Sequence, residues 1–152
     1  MFHALVYLMA FIGGFTIMSV ELLGGRMLAP YFGNSIYVWG SIITVFMLSL
    51  SLGYLLGGRL SVKGPTLRRF GTLFLVGAAG LLPIWLFDEA IMRFFFEWDL
   101  DPRYGSLTCA LALFFVPTTV LGMISPYSVR LLVRSARESG LTAGTLFFVS
   151  TL

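Results

Sequence analysis

Charge is what this chain has least of. Asp, Glu, Lys and Arg make up 11% of its 152 residues, against 58% hydrophobic, whereas soluble domains carry about 25% charged residues. That balance argues against a water-soluble fold. There is a single cysteine, Cys109, inside an apolar run, and a single histidine, His3, so neither an internal disulfide nor a Cys/His metal cluster is expected. No strand-like run leads into a G-x-G-x-x-G turn. Gly24-Gly25 and Gly57-Gly58 instead fall within or at the ends of apolar segments, so no nucleotide-type cofactor is expected either. The net charge of +3 and pI near 9.4 would hint at nucleic acid in a soluble domain. Here the basic residues sit between apolar runs, where membrane topology accounts for them, and no nucleic-acid partner is inferred.

What is present is a series of long charge-free stretches: Met1 to Val20, Met27 to Gly58, Phe70 to Phe87 and Tyr104 to Val129. A helix crossing roughly 30 Å of hydrocarbon needs about 20 apolar residues. The sequence therefore predicts an all-α integral membrane bundle with four spans, at about residues 4–28, 36–58, 70–87 and 105–125. The connections give a direction. Arg59, Lys63, Arg68 and Arg69 lie together without an acid, while the next connection holds Asp88, Glu89, Glu97, Asp99 and Asp101 against Arg93 and Arg103. Short Arg- and Lys-rich loops stay on the cytoplasmic side. That places the first loop inside, the second outside, and Arg130, Arg134 and Arg137 inside again as cytoplasmic anchors. The N-terminus is then cytoplasmic, in a multi-pass protein of the inner membrane. The N-terminal run lacks a basic n-region and an A-x-A-like site, so it reads as a retained span rather than a signal peptide. Residues 139–152 form a further apolar segment, too short to cross, which reads as the start of another span in a longer protein, with a short re-entrant or interfacial tail as the alternative.

Pro30 and Gly33 predict a break over Ala29–Ser35. Pro83 predicts a kink near the outer end of the third span, and Thr118 and Thr119 are placed to bond carbonyls freed by Pro117. The stretch from Asp88 to Tyr104 mixes acids with aromatics, as a helix in the headgroup region or an aromatic belt would. Ser49, Gly53 and Gly57, spaced by four, form a small-residue stripe suited to close helix packing. Glu21 and Arg26 are ionisable groups inside a span and require a reason. Their i,i+5 spacing is poor for a mutual pair, so Arg26 is expected to find Asp88 or Glu89, with transport, proton handling and lipid headgroup contact as the other roles open to the two residues.

The run from Glu21 to Trp39, ELLGGRMLAPYFGNSIYVW, together with Leu52–Leu60, LGYLLGGRL, closely resembles the N-terminal membrane region of spermidine-synthase-like membrane proteins, in which a major-facilitator-like membrane half is fused to a polyamine aminopropyltransferase domain. Pro117–Pro126, PTTVLGMISP, looks like that family's later span, and residues 140–152 resemble the start of its next helix. The resemblance implies an attached or partner transferase domain that binds decarboxylated S-adenosylmethionine through a Gly-rich turn and acids, and that uses an Asp as base. Those elements have no counterpart in this chain. The loop Gly58–Gly64 is also similar to the loop between spans two and three of major facilitator transporters, without that loop's Asp.

Two functions follow as expectations. The first is a non-catalytic membrane module of a spermidine-synthase-like protein, an anchor or accessory subunit that packs through its small-residue stripes against other membrane subunits or a soluble enzyme domain, with membrane lipids around it. The alternative is a fragment of, or a small, major-facilitator-like transporter for an amine or lipid-like substrate.

Overall fold

The computed structural model describes residues 2–62, 64–97, 100–133 and 139–151. Lys63, Asp99, Arg134 and Arg137 lie outside them. The chain is all-α. Helix α1 runs Phe2–Phe32, α2 Ile36–Val62, α3 Leu67–Phe96, α4 Pro102–Gly122, α5 Ile124–Leu132 and α6 Ser139–Ser150. With α4 and α5 taken as one element, 4 helices are long and apolar enough to cross a membrane, and α6 is a shorter apolar helix. This is a membrane protein.

The helices extend further than the charge-free runs because polar residues cap them instead of ending them. Thr66 accepts from the Arg69 backbone N–H at the start of α3, and Asp101 accepts from the Arg103 N–H, with Pro102 at the first helical position of α4. Both are N-caps that satisfy donors otherwise orphaned at a helix start. Pro30 does not break α1. It stands in the last turn, which still closes through Gly33 N–H to the Ala29 carbonyl at 2.9 Å. The break is confined to Gly33–Ser35, where Gly33 takes a left-handed φ of 81°. Pro83 sits four residues before Phe87, the one residue of α3 with non-helical angles (φ −131°, ψ 19°). A proline loosens the turn before it, here at the Ala79 carbonyl; the kink at Phe87 lies one turn further on and leads into a distal segment, Asp88–Phe96. The α4–α5 break falls at Met123. Thr119 bonds the carbonyl of Phe115 at 2.7 Å, one turn back along its own helix, and not the Leu113 carbonyl that Pro117 frees.

Helix α2 packs most extensively on α4, α3 lies along α4, and α1 touches α2 through α6. One buried cluster joins Leu28, Phe32, Ile42, Phe46, Cys109 and Phe114 toward the α1–α2 turn. A second joins Val6, Phe70, Leu121, Ile124, Tyr127 and Leu146 toward the other end. Outside these, large apolar side chains face outward along every long helix, among them Phe15, Leu22, Met47, Leu75, Trp85 and Val116. A soluble monomer does not carry such a surface, whereas a lipid-bathed bundle does.

Candidate functional site

The polar groups sort by depth. Along the spans, hydroxyls bond the carbonyl one turn back in their own helix: Thr16 to Ile12, Thr44 to Gly40, Ser49 to Val45, Ser51 to Met47 and Ser128 to Ile124, at 2.6 to 2.8 Å. Such bonds satisfy a hydroxyl in hydrocarbon without a partner helix. Ser41 and Ser106 depart from that pattern and join two helices, with their oxygens 3.1 Å apart in the buried α2–α4 interface. The Cys109 thiol makes a softer link from α4 to α3, its Sγ lying 3.5 Å from Sδ of Met92.

Ser49, Gly53 and Gly57 are buried. The structure sets this stripe against α4 and α5 of the same chain. A Cβ on Gly57 would stand 2.5 Å from the Met123 carbonyl oxygen, and one on Gly53 would meet the Thr119 carbonyl and the Gly122 backbone. An outside partner therefore has to use another face.

At the end where α2 meets α3, Arg59, Arg68, Arg69 and Arg130 are exposed. Tyr127 ties the two parts of this end together. Its hydroxyl accepts from the Thr66 N–H at 2.9 Å and donates to the Thr66 carbonyl at 3.3 Å, while its ring stacks on Phe70.

The opposite end carries Asp88, Glu89, Glu97 and Asp101. The sequence predicts a partner for Arg26 at Asp88 or Glu89, and the structure gives a different arrangement. Glu89 pairs with Arg93 at 2.9 Å, one turn along its own helix, and Asp101 lies 3.9 Å from Arg103, whose guanidinium also covers the Tyr37 ring at 4.2 Å. Among the described residues Arg26 has no ion-pair partner and is exposed, and Glu21, partly buried, has none either. The i,i+4 geometry available to Glu89 and Arg93 makes their pair easier to close than one between helices.

Hollows lie on both sides of the kink in α3. Between α1, α3 and α4 lies an apolar slot of about 230 Å³, lined by Val20, Leu23, Met27, Leu81, Ile84, Trp85 and Phe114, with Asp88 at its end. Asp88 also lines an adjoining hollow of about 320 Å³ with Met27, Pro30, Tyr31, Glu89 and Met92. Its carboxylate accepts the neighbouring Glu89 N–H at 2.8 Å. No family model, curated protein or solved structure matches this chain. The slot is therefore interpreted from its own chemistry.

That chemistry is a half-open apolar slot with one exposed carboxylate in its lining. From sequence, Asp88 stands out only as a partner for Arg26. No sequence signal marks the kink at Phe87 just before it, since Pro83 disturbs the turn on its own N-terminal side. Among the described residues no group of three or more His, Cys, Asp or Glu side chains could hold a metal.

Proposed function

We propose that this chain is a non-catalytic module of the inner membrane, anchor or accessory subunit to a larger assembly of the spermidine-synthase-like kind, with its N-terminus and the Arg59–Arg69 loop in the cytoplasm. The observation that carries this reading is the distribution of polar groups. Among the described residues Arg59, Arg68, Arg69 and Arg130 gather without an acid at one end, Asp88, Glu89, Glu97 and Asp101 gather at the other with Arg93 and Arg103 among them, and between the ends most hydroxyls bond their own helix carbonyls. A module of this kind contributes position and packing, and the aminopropyl transfer belongs to a soluble domain, attached or associated at the arginine-rich face. Because the Ser49–Gly57 stripe is taken up inside the chain, the contact with the rest of the assembly falls on the outward apolar faces or the basic end.

Purification from the native membrane in mild detergent tests the reading. Aminopropyl transfer to an amine acceptor is expected in the high-mass fraction that holds this chain, and to disappear from the chain once it is stripped of its partners. A homogeneous monomer that catalyses transfer by itself would contradict it.

A carrier for an amine or lipid-like molecule is the second reading, favoured by the carboxylate of Asp88 at the end of the slot. Uptake of such a substrate into proteoliposomes, abolished by Asp88→Asn or Glu21→Gln, would replace the module with a transporter.

A further inference from the structure

We draw no further inference here: the strongest candidate, the open hollow of about 590 Å³ along the distal segment of α3, lined by Phe87, Asp88, Glu89, Arg93, Phe94 and Glu97, is an acidic cluster on a single helix, and nothing in the structure shows what covers it.

Discussion

At the scale of single residues, close approach and hydrogen-bond satisfaction decide most of the stability. Gly53 lets α2 lie against the backbone of α4, with no room for even a methyl group beside Thr119. Gly53→Val is expected to lower thermal stability in detergent by about 1–3 kcal/mol, the usual effect of overpacking. Gly40 serves as the comparison, because a Cβ there would meet nothing within 4 Å, and Gly40→Ala should leave the melting temperature unchanged or slightly higher. Tyr127 is fully buried and its hydroxyl serves both backbone groups of Thr66. Tyr127→Phe leaves those groups without that partner at a part-buried site, for which about 1–3 kcal/mol is expected. Protease nicking of the 64–66 loop at native temperature would report the loosening directly. Loss of stability without faster nicking would mean that the ring stacking on Phe70, and not the hydroxyl, holds the loop.

Among the elements, α2 and α4 form the central pair, and the Ser41–Ser106 hydrogen bond crosses their buried interface. Interhelical bonds in membranes average about 0.6 kcal/mol and reach about 1.7. A double-mutant cycle with Ser41→Ala and Ser106→Ala should return a coupling in that range. A coupling indistinguishable from zero would mean that packing alone fixes their register. The existence of the long helices was legible in the charge-free runs, because in hydrocarbon nothing but a helix or a closed barrel satisfies the backbone. Their ends were not. Thr66, Asp101 and the turn closed by Gly33 carry α3, α4 and α1 past the first polar residue, and capping is a local geometry that hydropathy does not register. The slot was illegible for a related reason. The kink at Phe87 lies beyond the turn that Pro83 disturbs, and the hollow that Asp88 shares with Met27 and Tyr31 is a product of tertiary packing, which hydropathy does not register.

For the molecule as a whole, charge is polarised along the bundle. Among the described residues the ends of α2 and α5 and the start of α3 carry Arg59, Arg68, Arg69 and Arg130 without an acid, and the far end of α3 and the start of α4 carry Asp88, Glu89, Glu97 and Asp101 with Arg93 and Arg103 beside them. Loop arginines set topology far more than loop acids do, so the account turns on which side of the membrane the α2–α3 connection occupies. Val62 is 75% and Leu100 43% exposed at opposite ends, which allows one decisive measurement in a Cys109→Ala background. A membrane-impermeant maleimide applied to intact cells from the periplasmic side should label Leu100→Cys and spare Val62→Cys until the inner membrane is opened. Labelling of Val62→Cys in intact cells, or of both positions equally in material that stays in solution without detergent, would contradict the membrane topology on which the module depends.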